Sequence, residues 1–111
     1  MQIRNLTRKT EFEVSVADNF ISQTKGLSFS KEKNILFTFP VSYYWSFWMF
    51  GVPYNINIVF IDESKKVFQI EKAVPITLNP RSWRTYKPKK SCKLVLETTH
   101  DIVDIDDKLD F

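Results

Sequence analysis

Residues 47–62 read Phe-Trp-Met-Phe-Gly-Val-Pro-Tyr-Asn-Ile-Asn-Ile-Val-Phe-Ile-Asp. An aromatic pair and a methionine run into a turn, and a β-branched run then stops at an acid. Branched and aromatic side chains lose rotamer freedom in a helix but suit a pleated surface. A stretch that is apolar at successive positions needs cover on both faces. These residues therefore predict a buried hairpin or strand pair at the heart of the core. They specify no chemistry.

At 111 residues the chain has room for one domain, residues 1–111. A domain of this size buries about two-thirds of its unfolded surface. Aromatic residues make up 15% of it, ten of them Phe, so much area is buried per ordered residue. One core then suffices without staples. Cys92 is the only cysteine, which excludes an internal disulfide and points to a reducing compartment. Residues 1–9 are basic but are followed by no apolar run of the kind a signal peptide needs. No apolar run approaches the ~20 residues of a membrane span. The expectation is a soluble, cytoplasmic protein that engages no membrane.

Scarcity excludes whole classes of function. The only glycines are Gly26 and Gly51, too far apart for a Walker loop or a dinucleotide fingerprint, in which clustered glycines let backbone N–H groups approach phosphate. A single histidine, His100, and a single cysteine leave no zinc cluster of N and S ligands. No cofactor and no metal is expected.

Residues 11–17 alternate polar and apolar with period two, as a half-buried strand does. Gln2-Ile3-Arg4 offers a short strand before them. Asp18-Asn19 predicts the cap of a short helix over residues 20–25, ended by Gly26 in the left-handed conformation. Residues 35–39 predict a strand with Leu36 opposite to Ile35, Phe37 and Phe39, ended by Pro40. Residues 41–44 read as a loop, residues 45–49 re-enter the sheet, and residues 56–61 form the central strand. Residues 62–66 are a hairpin loop, because alternation resumes at Val67-Phe68-Gln69-Ile70. Residues 72–93 carry Pro75, Pro80 and Pro88 and predict a long crossing loop with one short strand at 82–85. Cys92-Lys93-Leu94-Val95-Leu96-Glu97 is a strand, and residues 108–111 add an edge strand. No repeat or second domain is visible.

Several short motifs occur in one order: Gly26-Leu27, Leu36-Phe37, Phe39-Pro40, Phe47-Trp48-Met49, Phe60-Ile61-Asp62, Tyr86-Lys87-Pro88, Val95-Leu96-Glu97 and Ile105-Asp106-Asp107-Lys108-Leu109. That order resembles the domain of unknown function 192 family (DUF192), also known as uncharacterised protein family 0127 (UPF0127). The Trp-Met-Phe-Gly form of the central motif is similar to its archaeal branch. The resemblance covers residues 12–111. It implies a compact, mainly β domain, a jelly-roll-like sandwich or partly closed barrel with one short helix near the start. It implies no established activity. The family usually has Pro-Leu-Asp before the Ile-Ile-Phe-Ile-Asp strand, whereas Asn55, Ile56 and Asn57 stand there in this chain. Asn57 cannot exchange a proton near neutral pH, so that acid-base candidate is missing. Thr98-Thr99-His100 lacks the usual Gly, and Asp106 replaces the usual Gly before Asp107.

Three groups of residues are candidates for function. Tyr43, Tyr44, Trp45, Trp48 and Phe50 form the densest aromatic set, which serves either as core or as an exposed ligand patch. The core reading is favoured for the set, and the two are evenly balanced for Tyr43 and Tyr44. Lys72, Arg81, Arg84, Lys87, Lys89, Lys90 and Lys93 occur with no acid between them, interleaved with Trp83 and Tyr86. Cations and rings together fit single-stranded nucleic acid. Against this, the formal net charge is only +3, and the acids Asp101, Asp104, Asp106, Asp107 and Asp110 lie near in sequence and could neutralise the strip. A solvated basic loop is therefore favoured. Glu97, His100, Asp101 and Asp62 are the remaining acid-base set, but no nucleophile accompanies them. A lone His at a strand end is more often a surface residue. The C-terminal acids lack the spacing and turn glycine of a calcium loop and read as a solvated face. Cys92 reads as packing.

These readings combine into a mainly β sandwich or partly closed barrel with a core of Phe12, Val14, Phe37, Phe39, Phe47, Ile58, Phe60, Val95 and Leu96. The leading functional expectation is a non-catalytic binding module, with its ligand site formed by Trp45, Trp48, Asn57, Arg84, Tyr86 and Lys87. Its partner would be a small molecule, carbohydrate or anion. Single-stranded nucleic acid bound through residues 81–93 is the alternative, and hydrolysis at Glu97 and His100 is a second one. The expected state is a monomer or weak dimer, an exposed edge strand being the route to pairing.

Overall fold

The computed structural model describes residues 1–17, 34–49 and 52–111. The helix expected over residues 20–25 lies outside the described residues, as does Gly51 of the turn expected at Gly51-Val52-Pro53. Among those described, the strands are β1 (Gln2–Asn5), β2 (Thr10–Glu13), β3 (Ser15–Ala17), β4 (Ile35–Tyr43), β5 (Phe47–Trp48), β6 (Ile56–Ile61), β7 (Val67–Ala73), β8 (Thr85–Tyr86), β9 (Cys92–Thr98) and β10 (Leu109–Asp110). A 3-10 turn spans Pro80–Ser82, capped by the Asn79 side chain, which accepts from the Arg81 N–H.

The main sheet has the order β3-β4-β9-β6-β7. Its pairs are antiparallel except the parallel β3–β4 pair. The middle position therefore belongs to β9, and β6, expected there, lies beside it. A second sheet has the order β10-β1-β2, and β5 pairs with β8 apart from both.

The period-two rule explains how the main sheet is buried on both sides. Ile56, Ile58 and Phe60 point to one face with Ile35, Phe37 and Val95, and Phe39, Phe47 and Phe68 pack against them. Val59 and Ile61 point to the other face with Leu36 and Leu96, where Ile3, Val14, Val67, Val103 and Leu109 meet them. Of the expected core, Phe12, Phe39 and Phe47 are partly buried and the rest fully so.

The two larger sheets also meet along both margins. At one, the chain passes from β2 to β3 through Val14, whose N–H bonds to the Met1 carbonyl while the Ser15 N–H bonds to Asn34. The alternation of residues 11–17 is thus one continuous pattern divided between two sheets. At the other margin Lys66 bridges Lys108, and Val67 N–H to Asp107, Asp106 N–H to Val67 and Leu109 N–H to Lys65 extend the contact. The sheets wrap round the second cluster as a partly closed barrel, and the first cluster lies on the outer face of the main sheet.

Four sequence expectations need correction. The short strand expected at residues 82–85 is instead the 3-10 turn Pro80–Ser82 followed by β8 at Thr85–Tyr86. Pro40 does not end its strand, since β4 continues to Tyr43. Between the pairs Thr38↔Leu94 and Tyr43↔Cys92, β4 advances five residues while β9 moves two. The surplus bulges outward, and a proline without an N–H fits such a bulge. Residues 45–49 do not rejoin the main sheet; only Phe47 and Trp48 form a strand, opposite Tyr86 and Thr85. The C-terminal acids are not all solvated. Asp107 is buried, and its Oδ2 accepts from Asn5 Nδ2 and from the Asp104 N–H, each at 2.8 Å.

Candidate functional site

The aromatic segment of residues 43–48 and the basic segment of residues 83–93 are joined at both ends. Trp48 pairs with Thr85 and Phe47 with Tyr86, and Tyr43 pairs with Cys92. Alternation then separates the rings. Phe47 turns inward onto Phe37 and Phe60, at 5.6 and 6.1 Å between centroids. Trp48 is 59% exposed, as are Tyr43 and Trp83, and Tyr44 is 52% exposed. A ladder of rings connects core and surface: Phe37 stacks on Phe39, Phe39 on Trp45 at 4.3 Å, and Tyr43 meets Trp45 edge-on at 5.2 Å. The Trp45 Nε1–H donates to the Val41 carbonyl and the Trp83 Nε1–H to that of Thr77. Both indoles are therefore anchored.

The basic segment is fixed by its buried residues. Tyr86 and Pro88 are buried, and the Tyr86 hydroxyl accepts from the Val74 N–H. The Gln69 amide grips the loop from β7, donating to the Lys87 carbonyl at 3.2 Å and accepting from the Lys89 N–H at 2.8 Å. The Arg84 guanidinium lies 4.8 Å from the Tyr86 ring centroid, and the Lys90 ammonium 4.5 Å from that of Phe68. Among the described residues, Arg81, Arg84, Lys87, Lys89, Lys90 and Lys93 have no ion-pair partner. The C-terminal acids pair elsewhere, Asp101 with Lys72, Asp104 with Arg8 and Asp106 with Lys66. Of the expected strip they therefore pair with Lys72 alone and leave residues 81–93 without an ion pair among the described residues.

Behind the β4 bulge a cleft of about 490 Å³ opens between Phe39, Ser42, Asp62, Glu63, Lys90 and the first residues of β9. Burial alone would raise the Asp62 carboxyl. The N–H groups of Lys66 and Ser64, the Ser64 hydroxyl and the Lys90 charge outweigh it and hold Asp62 below its ordinary value. Those three hydrogen bonds all fall on Oδ1. Cys92 also lines the cleft, with its thiol pushed up to about 11 by burial. That thiol is a poor nucleophile at neutral pH.

Of the expected ligand residues, the structure brings Trp45, Trp48, Arg84, Tyr86 and Lys87 into this region. Tyr86 is a buried support, while Trp48, Arg84 and Lys87 are exposed. Asn57 is elsewhere. Its Nδ2 donates to Asp101 Oδ1 at 2.9 Å and to the His100 carbonyl, in a separate groove with Lys72 and Val103. The acid-base set does not converge. Asp62 follows the end of β6, whereas Glu97 pairs with Ile58 farther back along that strand. Glu97 is 6% exposed and flanked across the strands by Ile35 and Ile58. Its burial raises the carboxyl to about 7. His100 is exposed. Sequence reasoning missed the Gln69 clamp and the Asp62–Lys90 cleft, because both depend on which loops the sheet order brings together.

The DUF192 family model, described as "Uncharacterized ACR", matches residues 2–107. This chain belongs to the DUF192 family. UPF0127 proteins of Thermococcus sibiricus and Pyrococcus furiosus are 30% and 29% identical to it over 82% and 90% of the chain. The chain spans 57% of the former's length and 84% of the latter's. Two crystal structures share the fold. One, from Sinorhizobium meliloti 1021 and provisionally described as a transcription regulator, has a TM-score of 0.81 at 19% identity, covering 98% of this chain and 91% of that one. The other, a protein of unknown function from Novosphingobium aromaticivorans DSM 12444, has a TM-score of 0.80 at 18% identity, covering 99% and 82%. This DUF192 chain has no helix among its described residues long and apolar enough to cross a membrane.

Proposed function

We propose that this DUF192 chain is a non-catalytic binding module for anionic ligands, which it holds on the strip formed by residues 43–48 and 83–93. One observation carries this reading: the cations of residues 81–93 lack ion pairs among the described residues, while Tyr43, Tyr44, Trp48 and Trp83 beside them are more than half exposed. Exposed aromatic surface on a small domain costs stability unless something covers it, so it marks interaction sites. Arg81, Arg84, Lys87 and Lys89, which make no ion pair among the described residues, create a field that draws anions toward those rings. Trp48 and Trp83 supply faces that stack on sugar rings or planar groups. Arg84 and Lys87 supply the charge. The dispersal of Asp62, Glu97 and His100 favours binding over acid-base catalysis. A buried, weakly acidic Cys92 thiol fits the reducing cytoplasm.

Retention on immobilised heparin, with neutral dextran as the control matrix, tests the reading. Retention at low salt that weakens steeply as salt rises is the expected result. The combined change Arg84→Gln and Lys87→Gln should shift elution to lower salt without moving the thermal midpoint. Passage of the unaltered protein through heparin at low salt, as through dextran, would refute it.

A further inference from the structure

Resting on that reading, we infer that the anion is a single-stranded nucleic acid, one base of which enters the cleft behind the β4 bulge with an amino-bearing edge toward Asp62. Three independent features converge on this chemistry.

The first is the course of the charge. Arg84, Lys87, Lys89, Lys90 and Lys93 follow one another along a segment that Tyr86, Pro88 and Gln69 fix to the sheet. Charge distributed along an anchored segment suits a phosphate backbone that runs past it. The second is the ring ladder. Phe39 and Trp45 stack on each other at 4.3 Å and support the exposed rings of Tyr43, edge-on to Trp45, and Tyr44, 6.3 Å beyond it. Unstacked bases find platforms on such rings.

The third feature is the mixed charge of the cleft. Lys90 and Lys93 stand with Asp62 and Glu63 around one volume, with Phe39 and Leu94 as apolar walls. About 490 Å³ lies within the range of small-ligand pockets. Carboxylates repel sulfate and phosphate, so a uniformly anionic polymer gains nothing by entering. A nucleobase does gain, because it is uncharged and planar and can carry a donor edge. Asp62 Oδ1 is occupied by Ser64 and Lys66, while Oδ2 accepts no hydrogen bond among the described residues. A carboxylate acceptor favours an exocyclic amino group such as cytosine N4 over the carbonyl of thymine. A base in a duplex cannot reach such a cleft without leaving its stack, so single strands are preferred.

Fluorescence anisotropy with short labelled oligonucleotides tests this, using oligo(dC), oligo(dT), an abasic strand of the same length and the duplex, with unlabelled heparin as a separate competitor. Oligo(dC) should bind about five- to a hundredfold more tightly than oligo(dT). The abasic strand and the duplex should be weaker than oligo(dC). Tyr43→Ala, at an exposed ring, should weaken oligo(dC) binding severalfold. Asp62→Asn should abolish the preference for oligo(dC) over oligo(dT), and Lys93→Gln, which does not touch the hairpin turn, should lower the salt slope by about 0.7. Equal affinity for oligo(dC), oligo(dT) and the abasic strand, with heparin still competing, would overturn the inference and leave the anion-binding reading standing. Failure of heparin and of every oligonucleotide to bind would remove both.

Discussion

Glu97 and Asp106 show opposite ways in which one residue can burden a fold. Glu97 places a carboxyl between Ile35 and Ile58 on the outer face of the main sheet, and burial raises it from 4.5 to about 7. Between those values the folded protein holds a proton that the unfolded chain has released. Stability therefore falls as pH rises from about 4.5 to 7 and levels off above it, with a total loss on the order of 3 kcal/mol. Glu97→Gln should flatten that slope in urea unfolding carried out across the same pH range; an unchanged slope would place the titration on another group. Asp106 stands where the family usually has Gly, and its φ is 72°. A side chain in the left-handed region is strained, although Asp tolerates it better than most. Its ion pair with Lys66, at 3.8 Å, is exposed and contributes little. Asp106→Gly should raise stability by up to about 1 kcal/mol, read as a higher denaturant midpoint with an unchanged m-value.

At the scale of elements, two hydrogen bonds of Gln69 tie the basic segment to β7 beside its buried Tyr86 and Pro88. Gln69→Ala should cost about 1–2 kcal/mol, speed hydrogen exchange at the Lys89 amide and weaken retention on heparin, although Gln69 carries no charge. Retention equal to the unaltered protein's would show that the strip needs no anchoring. Clean periodicity made most elements readable from residue order alone: β6, β7, β9 and the hairpin at residues 62–66 fall where alternation puts them, and Leu36 faces away from Phe37 as expected. Two kinds of feature were not readable. Alternation does not say when a strand changes sheets, so the break at Val14 was invisible in residues 11–17. Proline is read as a terminator when the ladder is assumed regular, so the β4 bulge and the cleft it opens were missed. The ligand residues divided for a similar reason. Trp48 lies in the β5–β8 pair and Arg84 and Lys87 flank its β8 strand, but Asn57 belongs to the alternate face of β6, and its side chain goes to Asp101.

For the whole molecule, the partly closed barrel depends on a seam that few residues maintain. Lys66 and Lys108 bridge, the backbone bonds of Val67, Asp106 and Leu109 continue the join, and the Lys108 ammonium donates to the Ser64 carbonyl. Leu109 is the apolar plug beneath this join, fully buried against the cluster of Ile3, Val67 and Val103. Its truncation removes packing from both sheets at once. Leu109→Ala should cost about 2–5 kcal/mol. Because the seam bonds share that plug, the amides of Val67, Asp106 and Leu109 should lose protection from hydrogen exchange together. The outer layer responds differently. Trp48 lies in the small β5–β8 sheet on the far face of the main sheet, so Trp48→Ala should leave the seam amides protected while lowering affinity for heparin. Seam amides that open independently in Leu109→Ala would show that the two margins are closed by local hydrogen bonds alone, and that the sheets do not act as one barrel.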